Sequence, residues 1–294
     1  MSPNERNEKM KSTILIALMT TAILAGTINQ TTIVRDNAPV SSANSFQPGL
    51  SEQQARGDRV TEEFHQSYPL APNGHVSIEN INGGVRIAAW DQSEVKVDAI
   101  KSAGNRERLA EANIEVISTA DRVRIKTKYP ERDTAARQRP ADSQDYRGSV
   151  EYVLMIPRKA RVDTAEIVNG PLEIVGVEGE VQAACVNGKL TARALRGDVK
   201  LSNVNGTVEL SLATLDDSRA VTLNSVNGNI VLIIPADSNA EIRANTLHGA
   251  ITNEFGFTAN NGQTAGHYLS GQLGSGGARV HLSNVNGQIA IKRD

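Results

Sequence analysis

"VNGKLTARALRGDVKLSNVNGTVELSL" occupies residues 186–212 and divides into three blocks of nine residues. Glycine recurs at the same place in each block, and the spacing continues upstream: Gly170, Gly179, Gly188, Gly197 and Gly206. Val-Asn-Gly marks alternate blocks, so the larger unit has 18 residues and two strands. A fixed short period of this kind is typical of a solenoid, in which no unit can bury its apolar face without a neighbour.

The Asn-Gly dipeptides are expected to form the corners of this stack. Both residue types accept the left-handed backbone conformation that a tight corner needs. If the corners align, their side-chain amides lie about 4.8 Å apart and can hydrogen-bond along a column. The predicted column contains Asn169, Asn187, Asn205, Asn227, His248 and Asn286, each followed by a glycine: Gly170, Gly188, Gly206, Gly228, Gly249 and Gly287.

The residues after each corner alternate between apolar and polar, which predicts strands with one buried face. The predicted inward residues are Leu190, Ala192, Ala194, Val208, Leu210, Leu212, Ile230, Leu232, Ile234, Ile289 and Ile291. Their neighbours, among them Thr191, Arg193 and Glu209, are predicted to face water. A series of antiparallel hairpins is the alternative explanation of the Asn-Gly turns, although hairpins do not require a nine-residue spacing.

The predicted fold class is all-β. Residues 149–294 are expected to form a thin β-solenoid, a single-stranded β-helix-like stack, and residues 60–148 a β-rich cap region that closes its N-terminal end. Within that cap, 106–116 is expected to open as a short helical turn and continue as a strand, and 130–148 to be a polar surface loop.

The Gly-rich insertion 256–277 is expected to cover the last unit, "VNGQIAIKRD". Without a cover, this C-terminal coil exposes an unpaired edge through which copies could associate.

The N-terminal residues resemble an export signal. The apolar run 14–25 is flanked by Lys9 and Lys11 and is short for a membrane span. Residues 1–26 are therefore predicted to be a signal peptide or an uncleaved signal anchor, and residues 27–59, rich in Ser, Asn, Gln, Thr and Pro, a flexible tether. This predicts a periplasmic, cell-envelope or extracellular protein that contacts the membrane only through an uncleaved anchor.

Composition excludes several classes of partner and scaffold. The formal net charge is -2 with 22% charged residues, so no global basic field indicates nucleic acid. Aromatic residues make up only 3% of the chain, too few for rows of ring-stacking sites. Cys185 is the only cysteine, which excludes an internal disulfide. Its parity within the strand is inward, where a small buried hydrophobic residue is expected.

No catalytic or metal-binding constellation is recognisable in the sequence, and no cofactor is indicated. The outward charged residues that could serve an enzyme of envelope glycans are interpreted as solvated surface: Glu173, Glu180, Arg193, Asp198, Lys200 and Glu209. None of the five histidines pairs with another at metal-ligand spacing. Arg-Gly-Asp occurs at 56–58 and 196–198, and the second copy is interpreted as an ordinary repeat corner.

The order of these features resembles the bacterial putative-adhesin family, a domain of unknown function in exported envelope proteins. The resemblance covers about residues 60–294 and rests on "SIENINGGVRI", "YVLMIPRKARV" and the serial Val-Asn-Gly units after a signal segment. It implies adhesion through the family's name and supplies no catalytic or binding residue.

We therefore predict a non-enzymatic envelope or surface protein that binds or scaffolds an extended partner, protein or glycan, through its β-ladder faces. Two alternatives stay open at this point. One is an enzyme acting on envelope glycans on a β-helix scaffold, and the other is a periplasmic sensor-associated domain.

Overall fold

The structure of the chain is a computed structural model that describes residues 59–130, 148–258, 260–261 and 266–294. The predicted signal segment 1–26, the tether up to residue 58, the Arg-Gly-Asp at 56–58 and residues 131–147 of the polar loop lie outside the described residues. None of the described residues belongs to a helix with the length and apolar character needed to cross a membrane.

The described part of the chain is all-β, as the sequence predicted, and contains 21 strands and one short helix. The first seven strands are β1 (Val60–Pro69), β2 (His75–Asn82), β3 (Val85–Trp90), β4 (Glu94–Ala103), β5 (Asn113–Ser118), β6 (Arg122–Lys128) and β7 (Ser149–Pro157), with helix α1 (Arg106–Glu111) between β4 and β5. The next eight are β8 (Arg161–Asn169), β9 (Leu172–Val175), β10 (Val181–Asn187), β11 (Leu190–Leu195), β12 (Val199–Asn205), β13 (Val208–Leu212), β14 (Ala220–Asn227) and β15 (Ile230–Ile234). The last six are β16 (Ala240–His248), β17 (Ile251–Asn253), β18 (Asn260–Asn261), β19 (His267–Leu273), β20 (Ala278–Asn286) and β21 (Ile289–Arg293).

These strands form two large sheets. Sheet A has the order β1-β4-β7-β3-β9-β11-β13-β15-β21-β17, and sheet B has the order β18-β19-β16-β20-β14-β12-β10-β8-β2-β6-β5. From β8 to β15 successive strands alternate between the sheets, and each of β8 to β13 pairs in parallel with the strand two positions later. We call one sheet B strand and the sheet A strand that follows its Asn-Gly corner, or in one case its His-Gly corner, a rung. Because the two strands of a rung lie in different sheets, the alternative of antiparallel hairpins is wrong for these repeats.

The predicted inward face is confirmed at every position except Ala194, with at most 2% of each residue exposed. Ala194 is exposed and has a φ of 53°, because the pairing of β11 with β13 shifts register at this point. The shift turns Leu195 inward, where it is completely buried. Thr191, predicted to face water, is only 7% exposed, since it lies between Glu173 and Glu209 of the adjacent strands. Its short side chain is flanked there by two longer ones.

Both sheets continue through the N-terminal part instead of starting at residue 149. β2 pairs in parallel with β8, and β3 with β9, so residues 75–90 form a rung like those that follow. β6 and β7 add parallel strands beyond them, and β4, β1 and β5 complete this end with antiparallel pairs. The predicted helical turn and the strand after it are confirmed as α1 and β5. Asn105 caps the helix by accepting a hydrogen bond from the backbone N–H of Arg108 at 2.8 Å.

The C-terminal unit lies inside the sheets, and the prediction that it forms the exposed end of the stack is wrong. β20 pairs with β14 on one side and with β16 on the other. β21 lies in the same way between β15 and β17. Both edges of this rung are occupied, so the predicted association of copies through the C-terminal coil has no free strand edge to use.

The end of the stack is instead the rung of β16 and β17, and part of the predicted insertion covers it. β19 pairs antiparallel with β16 and extends sheet B, followed by β18. To reach β20, the chain then crosses the start of β16, where Asn239 Oδ1 accepts a hydrogen bond from Ser275 N at 3.0 Å. The rings of Phe255 and Phe257 pack against the core at this end.

Candidate functional site

The Asn-Gly corners carry a continuous row of hydrogen-bonded amides. Asn187 Nδ2 donates to Asn169 Oδ1, and Asn205 Nδ2 to Asn187 Oδ1, both at 2.9 Å. The same bond joins the other neighbouring corners at 2.8–3.0 Å. The asparagine ladder therefore comprises Asn82, Asn169, Asn187, Asn205, Asn227 and Asn286. His248 stands beside Asn286 in the outermost corner, and not one corner earlier as the sequence order suggested.

These corners require glycine because they approach one another backbone to backbone. A Cβ added to Gly206 would lie 2.2 Å from the carbonyl oxygen of Gly188, and one added to Gly188 would lie 2.1 Å from that of Gly170. Gly206 also has a φ of 131°, whereas the φ of Gly188 lies outside the left-handed region. The close approach is therefore common to these corners, while the left-handed backbone is not.

A second polar row, not expected from the sequence, lies in the core two residues before the corner asparagines. Asn203 Nδ2 donates to Gly188 O at 2.9 Å, and Asn284 Nδ2 donates to Gly228 O at 2.8 Å. The inner row consists of Asn80, Cys185, Asn203, Ser225, Asn284 and Thr246. Its signal was present in the sequence, since a residue with a polar or thiol group recurs two positions before the corner in every unit except that of Asn169, where Ile167 takes this place.

The inner row caps corner carbonyls that face the interior, but it satisfies only part of its own polar groups. The Oδ1 atoms of Asn80, Asn203 and Asn284 and the hydroxyl of Ser225 are buried and have no hydrogen-bond partner among the described residues. A buried polar atom without a partner costs free energy. The inner row therefore hydrogen-bonds the corner carbonyls of neighbouring rungs, while its own unpaired atoms lower the stability of the fold.

An apolar row runs along the outer side of sheet B, directly beside the asparagine ladder. Its members precede the corner Asn or His and are called here the valine stripe: Ile81, Val168, Val186, Val204, Val226, Val285 and Leu247. They are half-buried, apart from Leu247, which is 38% exposed. They face outward because side chains alternate along a strand and the residue before each of them is buried. The stripe and the ladder present the same two groups, an apolar side chain and an amide, on one rung after another.

The charged residues considered for an enzyme do not converge. Glu173, Arg193 and Glu209 lie on the outer side of sheet A, Lys200 lies on that of sheet B, and Glu180 and Asp198 lie in the turns before β10 and β12. Glu209 is held by Lys189 Nζ at 2.7 Å and by Arg193 Nη2 at 3.2 Å. The hydrogen bond from Lys189, and to a smaller extent that from Arg193, lowers the pKa of Glu209. A general acid needs a pKa near the working pH, so this carboxylate is unsuited to that role.

Other titratable groups are held in local contacts. His75 Nδ1 lies 2.8 Å from Asp163 Oδ1, and His65 Nδ1 lies 2.7 Å from Asp98 Oδ1, a bond that raises the pKa of His65. Burial raises the pKa of the Cys185 thiol to about 11, so little thiolate is present at neutral pH. Within the described ranges, no group of three or more His, Cys, Asp or Glu side chains is placed to hold a metal ion.

The second Arg-Gly-Asp tripeptide, at 196–198, is part of a corner opposite the ladder. Asp198 Oδ1 accepts a hydrogen bond from the backbone N–H of Ala220 at 3.0 Å. A Cβ added to Gly197 would lie 2.1 Å from the carbonyl oxygen of Gly179 on the neighbouring rung. The aspartate and the glycine therefore serve the stacking of turns.

No protein-family model and no curated protein matches the chain. Among solved structures, the chain is similar to a putative cell adhesion protein from Clostridium sporogenes, with a TM-score of 0.48 and 15% identity over 81% of this chain and 100% of that one. It is also similar to a putative adhesin from Bacteroides fragilis, with a TM-score of 0.38 and 9% identity over 78% of this chain and 97% of that one. A putative lipid binding protein from Parabacteroides distasonis aligns with a TM-score of 0.29 and 11% identity over 81% of this chain and 98% of that one. At these scores and identities, the function of this chain has to be argued from its own residues.

Proposed function

We propose that the chain is a non-enzymatic, adhesin-like protein of the bacterial envelope or surface, which binds an extended partner along the valine stripe and the asparagine ladder. Its body is a thin β-solenoid, an assignment supported by the parallel pairing of strands two positions apart and by the aligned corners. The exported location rests on the signal-like residues 1–26.

The regular chemistry of the stripe and the ladder is the observation that carries this proposal. Seven rungs present an outward apolar residue beside a corner Asn or His, over a length of roughly 29 Å at about 4.8 Å per rung. A partner that is itself extended can repeat one weak contact at many rungs, and the contacts add because they are made by one connected surface. A compact small molecule would use only one or two rungs and leave the remaining apolar surface in water.

The stripe also favours a polypeptide over a glycan as the extended partner. Its seven members are aliphatic, and none is aromatic. Aliphatic side chains recognise other apolar side chains through buried area, and that contribution grows with the area covered. The amides of the ladder have a second N–H and a second lone pair, which can bond to the backbone of a segment lying along the corner.

Co-sedimentation of the full chain with isolated bacterial cell envelopes tests this function. Val186→Asp and Val204→Asp each place a charge within the stripe, and we expect the bound fraction at limiting envelope to fall about tenfold, since burying an unpaired charge opposes binding. Thr222→Asp places the same charge on the outer side of sheet B, away from the stripe, and is the matched control. Protease treatment of the envelopes should abolish binding. Folded stripe variants that bind as well as the wild type would refute the function.

A further inference from the structure

The turns from sheet A back to sheet B form a second stacked corner on the opposite side from the ladder. Val162 N donates to Glu180 O, and Val181 N donates to Asp198 O, both at 2.9 Å, so consecutive turns are joined by backbone hydrogen bonds. A Cβ added to Gly179 would lie 2.2 Å from the carbonyl oxygen of Ala160 on the next rung. The floor of this corner is therefore bare backbone, and the side chains of the turns stand at its sides.

A surface groove of about 590 Å³ lies along this corner. Three cationic side chains, one from each of three different turns, line it: Lys159 before β8, Arg196 before β12 and Arg219 before β14. Glu178 and Asp216 lie among them, and Asn73 and Thr214 complete the polar lining. Cations therefore exceed carboxylates in the groove, whereas the whole chain has a net charge of -2.

The cations of the groove are incompletely paired. Lys159 is exposed and makes no ion pair with another described residue. Arg196 Nε lies 3.9 Å from Glu178 Oε1, and Arg219 Nε lies 3.7 Å from Asp216 Oδ2, both too far for a hydrogen bond.

Several surface ion pairs elsewhere on the chain are closer, although Arg122 Nη2 and Asp163 Oδ2 are also 3.8 Å apart. Lys189 Nζ and Glu209 Oε2 are 2.7 Å apart, and Arg243 Nη2 and Glu241 Oε1 are 2.6 Å apart. Within the groove, the Nε atom of Arg219 is buried and has no hydrogen-bond partner among the described residues. That atom is shielded from solvent, but 38% of the Arg219 side chain is exposed, and a bound oxyanion is the partner that guanidinium groups match best.

We infer that the groove binds the oxyanions, carboxylate or phosphate, of an acidic glycan. Arg196 and Arg219 hold the oxyanions through charge-assisted hydrogen bonds, and Lys159 adds a point charge two rungs from Arg196. The separation of two rungs is about 9.6 Å, so the groove suits a polymer with anionic groups at intervals, lying along the stack.

The two carboxylates explain why the ligand is a glycan and not an acidic peptide. Glu178 and Asp216 alternate with the cations along the corner, so a chain with a negative charge on every residue would meet repulsion. An acidic glycan carries neutral hydroxyl groups between its anions. These hydroxyls can donate hydrogen bonds to both carboxylates and to the side-chain oxygens of Asn73 and Thr214.

Calorimetric titration of the full chain with two oligomers tests this inference and identifies the oxyanion. Oligogalacturonate supplies carboxylates, and a phosphodiester-linked oligosaccharide, oligo(mannosyl phosphate), supplies phosphates. We expect saturable binding of one of them at low ionic strength, weakened by added salt. Arg196→Gln and Arg219→Gln should each weaken it about tenfold, since each removes a charge-assisted hydrogen bond. Arg243→Gln removes an arginine that lies outside the groove and is paired with Glu241, and it should bind like the wild type.

Three outcomes of these titrations would contradict the inference. Failure of both oligomers to bind at low ionic strength overturns the site. An equal loss in Arg243→Gln overturns it as well, because binding would then follow net charge. Tighter binding of oligoglutamate than of either oligomer overturns the glycan as ligand. If Arg219→Gln does not fold, the double variant Lys159→Gln/Arg196→Gln replaces it in the titration, because both of these residues are exposed. None of the substituted residues lies in the Asn-Gly corners or in the valine stripe, so the outcome is independent of the function proposed for the stripe.

Discussion

Glycine-to-alanine substitutions can separate the two reasons why the corners contain glycine. At Gly188 an added Cβ would lie 2.1 Å from Gly170 O of the next corner and 3.2 Å from Cys185 Sγ, while the backbone is outside the left-handed region. At Gly206 the Cβ would lie 2.2 Å from a carbonyl oxygen and φ is also 131°. Gly256 has a φ of 78° but open space around it, and Gly104 has neither constraint. The four positions therefore form a complete set of controls.

The expected losses follow from these two constraints. Overpacking against the backbone costs about 1–3 kcal/mol, because the rungs must separate to admit the methyl group, so Gly188→Ala should lose about 2 kcal/mol. Left-handed strain costs about 1–2 kcal/mol in an L-residue, and Gly256→Ala should show that loss alone. Gly206→Ala combines both effects and should lose about 3–4 kcal/mol. Gly104→Ala should change the free energy of unfolding by less than about 0.5 kcal/mol.

Equilibrium urea unfolding of the full chain measures these differences. Trp90 is the only tryptophan and reports on β3, while far-ultraviolet circular dichroism reports on both sheets. Both probes are needed because stacked rungs can unfold in parts, and a single free energy requires coincident transitions. If Gly188→Ala proved as stable as Gly104→Ala, the corners would not be in backbone contact and the reasoning would be refuted. A Gly206→Ala variant no worse than Gly188→Ala would show that backbone strain contributes nothing there.

Three further predictions concern the inner row and the titratable groups. Asn203→Ala should lose about 1–2 kcal/mol in urea unfolding, because a corner carbonyl loses its donor, whereas Ser225→Ala should be neutral or slightly stabilising because that hydroxyl has no partner among the described residues. Since Lys189 lowers the pKa of Glu209, this pair stabilises the fold above the ordinary value of 4.5 and stops doing so as pH falls through the lowered pKa. Stability measured between pH 7 and pH 3 should therefore drop further in the wild type than in Glu209→Gln, and parallel curves would contradict the pairing. Cys185, with its pKa raised to about 11, should react with a thiol reagent at pH 8 only after urea unfolding, and rapid labelling of the native protein would contradict its burial.

The strands and their buried faces could be predicted because both depend on local patterns. The alternation after each Asn-Gly corner correctly identified the inward residues from Leu190 to Ile291, apart from Ala194. That residue could not be assigned from alternation, since its bulge arises from a register shift against the neighbouring strand β13. The predicted exposure of Thr191 was wrong for a related reason, because its burial depends on the side chains of the adjacent strands.

The candidate surfaces were predictable to different degrees. The alignment of corner asparagines followed from the repeat spacing, but the valine stripe was overlooked although a valine precedes most of these asparagines. The charged groove could not be predicted. Lys159, Arg196 and Arg219 follow no common spacing, and they come together only because the turns that carry them stack in the folded chain.

By itself, the sequence determined the rung: two strands, an Asn-Gly corner and one inward apolar face, all of which are written within 18 residues. The order of the rungs was decided by the tertiary structure, which places β20 and β21 between the rung of β14 and β15 and that of β16 and β17. The physical reason is that neighbouring rungs offer nearly the same parallel edge, with matching inward residues and matching corners. No local pattern can then assign a rung to its neighbours. That choice depends on connections such as 235–239 and 274–277, whose paths are defined only in the folded chain.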